Sequence, residues 1–359
     1  MIVVSHGKDI IKSTIDALTA SDIDCYLNRE FSVALKPNLV VARPASGGAT
    51  THPEVLEAII IFLKEYGIKS IRIIESSWVG DSTKRAYTNC GYTYLTNRYG
   101  VPLIDLKDDN NVKLSSDNYS IKVCREALET DFLINVPVLK AHGQARLTCC
   151  MKNLKGCIPD SEKRRFHMLG LHKPIAELNR LIKVGYNVID GICGDLTFEE
   201  GGTPVESNKI IVGRSAFLLD SYCAGLIGYS PEEIGYLSYG KQIGLGEFFS
   251  SEDELIELNT EEKSSVNMMS SRVSDRYAKM IKEESACSAC YSSLLYALHR
   301  YNPRAKNLET IHIGQGFRGI SEDGIGIGNC TCLFSKNIPG CPPSAVEIYE
   351  ALQQFSNPG

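Results

Sequence analysis

Short apolar runs alternate with longer amphipathic stretches through the first half of the chain. The run "FSVALKPNLV" (31–40) reads as a buried strand that ends in a loop. "THPEVLEAIIIFLKEYG" (51–67) predicts a helix, with Thr51 as N-cap, Glu54 three residues on and Gly67 as its stop. "KSIRIIES" is the next strand and carries Glu75 at its carboxyl end; a helix over 82–98 and the strand "VPLIDL" continue the alternation. "TDFLINVPVLK" is another strand, followed by the lysine-rich "KAHGQARLTCCMKNLKGCIP". This βαβ rhythm predicts an α/β fold with a mostly parallel sheet covered by helices.

Further on, the pattern predicts a helix near 171–183, the strand "GYNVIDGI", a turn at "EEGGTPVE", the strand "NKIIVGR" and the helix "SAFLLDSYCAGLIG". Residues 250–284 are polar and acidic and read as a connector carrying short helices, which bounds a first domain at 1–249. From 285 the pattern restarts as a small cysteine-rich α/β module reaching 359. "SACSACYSSLLYALHRY" leads into a helix, "LETIHIG" is a short strand, and after Cys341 the residues Pro342 and Pro343 open a helix with Ala345, Ile348, Tyr349 and Leu352 on one face. No internal repeat stands out.

Composition narrows the classes. Hydrophobic content of 43% and charged content of 23% are ordinary for a globular chain. A net charge of −5 supplies no basic field for nucleic acid or an anionic membrane. The start, "MIVVSHGKDIIKST", lacks a signal-peptide pattern, and the apolar run "VLEAIIIFL" is too short to span a bilayer. The expectation is a cytoplasmic protein with neither nucleic acid nor membrane as partner.

Thirteen cysteines is a high count for such a chain. Cys25, Cys90, Cys124, Cys193 and Cys223 stand singly in apolar or helical context and read as small buried hydrophobes. Cys149, Cys150 and Cys157 lack ligand-type spacing and read as structural. The remaining five differ. Cys287 and Cys290 form a C-x-x-C before a helix, Cys341 precedes another, and Cys330 and Cys332 lie in the bendable "DGIGIGNCTC". Four of these suffice for a tetrahedral zinc or a [4Fe–4S] cluster, and Cys332 is the spare. One C-x-x-C with two scattered cysteines, the last in "GCPP", favours the cluster, with zinc as the alternative.

The stretches "LKPNLV", "TTHPEVLEAI", "DFLINVPVLKAH", "LTCCMKNLKG", "VIDGI" and "LLDSYCAGLIG" together resemble the DUF362 proteins of bacteria and archaea. Many members carry ferredoxin-type [4Fe–4S] segments, so the resemblance implies an iron–sulfur protein. This chain lacks the tandem-cluster insert of the commoner layout, which implies a single cluster on Cys287, Cys290, Cys330 and Cys341.

Within those stretches, several residues suit chemistry. Lys36 and Asn38 follow a strand at its carboxyl end, where open α/β sheets place ligands, and Lys140 and His142 do the same. Thr50, Thr51 and His52 precede a helix start, Lys152 and Asn153 add donors, and Asp190 ends a strand. The expectation is a cleft for a small anionic substrate held by Lys36, Asn38, Thr51, His52, Lys152 and Asn153. Lys140, His142, Asp190 and Glu75 would carry proton transfer. Asp220 could equally be a buried polar anchor. The whole reads as a redox enzyme or electron-transfer component, with a redox protein as possible partner. The rival reading is a non-redox anion-binding or maturation protein with a structural metal.

Overall fold

The computed structural model describes residues 1–116, 119–302 and 309–356. Two compact units emerge. Met1–Ala141, Leu147–Lys163 and His172–Ser270 make the first; His142–Arg146, Arg164–Leu171 and the chain from Ser271 onward make the second.

The first unit is built on eight strands: β1 (Ile2–His6), β2 (Ser32–Pro37), β3 (Ser70–Glu75), β4 (Leu103–Asp105), β5 (Phe132–Val136), β6 (Tyr186–Asp195), β7 (Pro204–Gly213) and β8 (Leu255–Leu258). Their spatial order is β8-β1-β7-β6-β5-β2-β3-β4. The run β6-β5-β2-β3-β4 is parallel throughout, and β7 runs antiparallel to both β6 and β1. The fold is therefore α/β with a mostly parallel mixed sheet. Val33, Ala34 and Leu35 are all buried, as are all five residues of β5, because helices cover both faces of a central parallel strand. Helix Pro53–Tyr66 lends Val55, Leu56, Ile59, Ile60 and Leu63 to the core, beside Ala17 and Leu18 of helix Ile10–Thr19. Gly67 ends the longer helix in the left-handed region, at φ 107°.

Three expectations need correction. The N-cap of that helix is His52, with Pro53 at its first position; Thr51 instead ties two strand ends together. The helix expected over 82–98 is two helices, Thr83–Asn89 and Thr93–Tyr99, broken where Gly91 takes φ 82°. The supposed connector 250–284 is no mere connector. Its residues Leu255–Leu258 pair in parallel with β1 as an edge strand, and residues after Ser270 belong to the second unit. Both β1 and the helix after it went unread in the sequence.

The second unit holds a four-stranded sheet, β9 (Ile281–Glu283), β10 (Ile311–Ile313), β11 (Ile325–Ile327) and β12 (Lys336–Ile338), parallel and in chain order. Helices Ser288–Tyr301 and Ala345–Ser356 bury Leu294, Leu295, Leu298, Ile348 and Leu352. Among the described residues no helix is long and apolar enough to cross a membrane.

Close approach of backbone, rather than turn geometry, dictates one glycine. A Cβ on Gly194 of β6 would stand 2.0 Å from the carbonyl oxygen of Leu139. Gly194→Ala is expected to lower stability by ~1–3 kcal/mol or more, read as a lowered urea midpoint. Gly47→Ala, where nothing lies within 4 Å, is expected to leave the midpoint unmoved; equal midpoints for the two variants would refute the packing argument.

Candidate functional site

Parallel strands deliver their carboxyl ends to one edge, and in the first unit that edge is polar and buried. Lys36 on β2 donates to Glu75 Oε2 on β3 at 2.7 Å and to the Pro37 carbonyl at 2.8 Å. Both side chains are nearly inaccessible, at 1% and 3%. Gly156 seals the pair: a Cβ there would sit 2.1 Å from Glu75 Oε1 and 2.5 Å from Lys36 Nζ. Beside it, Asn153 Nδ2 donates to Asn135 Oδ1 at 2.8 Å, and Asn135 Nδ2 donates to Asn187 Oδ1 at 3.0 Å. Asn153 Nδ2 also donates to the Lys36 and Pro37 carbonyls at 3.3 Å, so these amides tie β2, β5 and β6 together. Thr51 accepts from the Asn38 amide and donates to the Val136 carbonyl, which joins the ends of β2 and β5.

His52 and Asp190 form a second pair. The backbone N–H of His52 donates to Asp190 Oδ2 at 2.7 Å, and its Nδ1 lies 2.8 Å from the same oxygen. Burial opposes charge on the imidazole, but the Asp190 carboxylate outweighs it, so His52 titrates above the ordinary histidine range. Asp190 lies within β6 at the bulge beginning at Gly191, not at a strand end, and its Oδ1 accepts from the Ile192 amide. The anion expected at this helix start is thus the protein's own carboxylate.

Lys140 and Lys152 are also engaged. Lys140 Nζ donates to the carbonyls of Ala49 at 2.7 Å and Glu199 at 2.6 Å, and burial pulls it down to about 7. Lys152 pairs with the Glu199 carboxylate at 2.9 Å. Lys36 and Lys152, expected to hold substrate, and Lys140, expected to carry protons, therefore all have internal acceptors. His142 belongs to the second unit, where its Nδ1 accepts from the Gln144 and Ala145 amides within its own turn. His52, 13% exposed, is the most accessible side chain of the candidate set in the first unit.

In the second unit the cysteines follow strand ends. Cys287 and Cys290 come after β9, Cys330 after β11 and Cys341 after β12. Ile327 pairs with Ile338, and Cys330 and Cys341 each stand three residues beyond their member of that pair. Cys332 is two residues further on and exposed. The two loops are zipped by Asn329 donating its amide to the Gly340 carbonyl at 2.9 Å and accepting the Gly340 amide at 2.8 Å. Burial, and then Cys287, Cys341 and Cys330, push the Cys290 thiol up to about 12. From the end of β10, Gln315 Nε2 reaches Cys287 Sγ at 3.7 Å and Arg318 Nε reaches Cys330 Sγ at 3.5 Å. Cys341 does not start the last helix as expected; Ser344 caps it, bonded reciprocally to Glu347.

The model of the domain of unknown function DUF362 matches residues 33–225, more than half of the chain. The chain belongs to the DUF362 family. It is similar to the thylakoid-associated protein sll1697 of Synechocystis sp., 27% identical over 224 residues, which span 59% of this chain and 68% of that protein. Likeness to solved structures is distant. The lactate racemase apoprotein of Thermoanaerobacterium thermosaccharolyticum shares 11% identity at a TM-score of 0.42, over 63% of this chain and 57% of that one. A protein from Thermotoga maritima shares 12% at 0.42, over 66% and 60%. This chain thus spans less than two thirds of either, and likenesses at this level bear on neither chemistry nor partners.

The DUF362 stretch contains every candidate of the first unit, while the four module cysteines lie beyond it. It also contains a group unread in the sequence. Cys149, Cys150 and Asp220 place their ligand atoms within 4.8 Å of one another, all buried. The signals were the Cys149–Cys150 doublet and Asp220 with Cys223, three apart on helix Ala216–Leu226. Conversely, Cys25 is exposed rather than a buried hydrophobe.

Two outcomes test this geometry. Glu75→Gln leaves Lys36 buried without its counter-charge, and a loss of ~3–5 kcal/mol is expected in denaturant titration; a loss under about 1 kcal/mol would refute the sealed pair. Lys140 releases its proton near 7 when folded but only near ~10.4 when unfolded, so the unfolded chain binds more protons between those values. Stability of the native chain relative to Lys140→Met should therefore climb as pH rises through that window. A flat difference would place Lys140 in an ordinary environment.

Proposed function

We propose that this DUF362 protein is an iron–sulfur protein. Cys287, Cys290, Cys330 and Cys341 would hold one [4Fe–4S] cluster, and His52 with Asp190 would handle protons on a small anionic substrate. The observation that carries the reading is the parallel register of β9 to β12, which supports four thiols gathered past the strand ends.

The surroundings suit that group. Gly328 lines the set, since a Cβ there would stand 3.7 Å from Cys290 Sγ and 3.3 Å from the Gly340 carbonyl oxygen. Among the described residues, the set of three or more ligand atoms all within 4.8 Å of one another is in the first unit, so the module thiols are spaced more widely. A cubane holds its cysteine sulfurs farther apart than the ~3.8 Å of a zinc tetrahedron, so that spacing is compatible with the cluster. When bound, a [4Fe–4S] centre takes up and releases single electrons. Arg318 offsets negative charge on Cys330, and its positive form is favoured in turn by that thiol. Gln315 offers Cys287 an N–H, the kind of contact that tunes a thiolate ligand. In the first unit, Asp190 fixes Nδ1 of His52 and leaves Nε2 to meet a ligand. With its titration raised, the ring is suited to give a proton.

Protein purified without air is expected to be brown, with about four irons and four sulfides per chain. Cys330→Ser should lose most of that iron and Cys332→Ser should keep it. A colourless protein carrying one zinc, or equal iron in both variants, would sink the assignment.

A further inference from the structure

We infer that Cys149, Cys150, Cys223 and Asp220 form a second metal site, buried inside the first unit and suited to a thiophilic ion of the zinc or copper(I) class. It is independent of the module cysteines.

The geometry carries it. Cys149 Sγ lies 4.0 Å from Cys150 Sγ, close to the ~3.8 Å between sulfurs around a tetrahedral zinc with Zn–S near 2.3 Å. A carboxylate oxygen of Asp220 is within 4.8 Å of both. Cys223, buried and one helical turn from Asp220 on the same helix, lies outside that 4.8 Å set and is the fourth donor that an ion would draw in. All four residues are wholly inaccessible.

An anchor role for Asp220 is real and does not exhaust it. Its Oδ1 accepts from the Cys150 amide at 2.7 Å; its Oδ2 accepts from the Met151 amide at 3.1 Å and from the Tyr236 hydroxyl at 3.1 Å. Three donors fill three of about four lone-pair positions on a carboxylate, and they hold it rigidly beside the sulfurs. Among the described residues Asp220 has no ion-pair partner. A charged carboxylate in a dry core without a cation is costly, and a bound cation would offset that cost. Thr148 Oγ1, next in the chain, is buried without a hydrogen-bond partner, so this corner of the core is more polar than packing requires. Three sulfurs exclude magnesium and calcium, which take oxygen ligands.

The test uses the full chain with the module silenced by Cys287→Ser, Cys290→Ser and Cys341→Ser, expressed with added zinc and assayed for metal by mass spectrometry. About one zinc or copper per chain is expected. Adding Cys149→Ser or Cys223→Ser should bring it to background, with folding checked by circular dichroism. Cadmium incorporated in place of zinc should show, by X-ray absorption, three sulfurs and one oxygen. No metal in the module-silenced chain, undiminished metal in folded Cys149→Ser, or an all-sulfur cadmium shell would each overturn the site. If the added substitutions prevent folding, the metal count and cadmium shell of the module-silenced chain decide alone.

Discussion

A parallel ladder obliges every strand in it to deliver its carboxyl end to the same edge, so residues just past those ends become neighbours whatever their separation in the chain. Both units are organised by this constraint. In the first, it sets Lys36 of β2 against Glu75 of β3 and aligns Asn135 with Asn187. In the second, it gathers cysteines separated by as many as fifty or so residues, from Cys287 to Cys341. Antiparallel pairing would have sent Cys330 and Cys341 to opposite edges.

What differs between the units is how that edge is satisfied. In the first, charge is neutralised from within: Glu75 for Lys36, Asp190 for His52 and the helix start, Glu199 for Lys152 and two carbonyls for Lys140. A charge moved from water into such surroundings is tolerable only when partnered and hydrogen-bonded, and each of these is. The lysines therefore hold strand ends and loops in register before they can do anything else. His52, with one nitrogen fixed and its ring partly accessible, is the member still able to meet a ligand.

Much of this was legible in the sequence, and the failures have physical causes. The βαβ rhythm was visible because β2, β3 and β5 are short, mostly apolar runs and helix Pro53–Tyr66 has clear stop chemistry. Leu255–Leu258 was missed because an edge strand half open to solvent carries acidic residues and looks like a connector. Lys36 does stand near the carboxyl end of β2, whereas Lys140 opens the short strand Lys140–His142; a lone lysine does not announce its acceptor, and Glu75 is thirty-nine residues from Lys36 in the chain. The ladder that precedes Cys330 was not legible either. "IHIGQG" and "IGIGNC" are the same step of a short parallel ladder, with Ile311 opposite Ile325 and Ile313 opposite Ile327. That repeat spans too few residues to stand out until the pairing is known.

The two thiol groups make the same point about environment. The module cysteines sit past the ends of short strands, partly exposed, beside backbone that lacks side chains at Gly328 and Gly340 and beside the cation of Arg318. The core cysteines have no exposure and are held by a carboxylate that also caps the first turn of helix Cys150–Asn153. Ligand type alone would rank them alike. Access separates them: an ion at the strand ends can enter a folded protein, whereas one among Cys149, Cys150 and Asp220 must be enclosed as helix Ala216–Leu226 docks, since nothing but the fold surrounds it. An ion there would be coupled to formation of the first unit itself, because the residues that bind it are those that join this helix to the loop after β5.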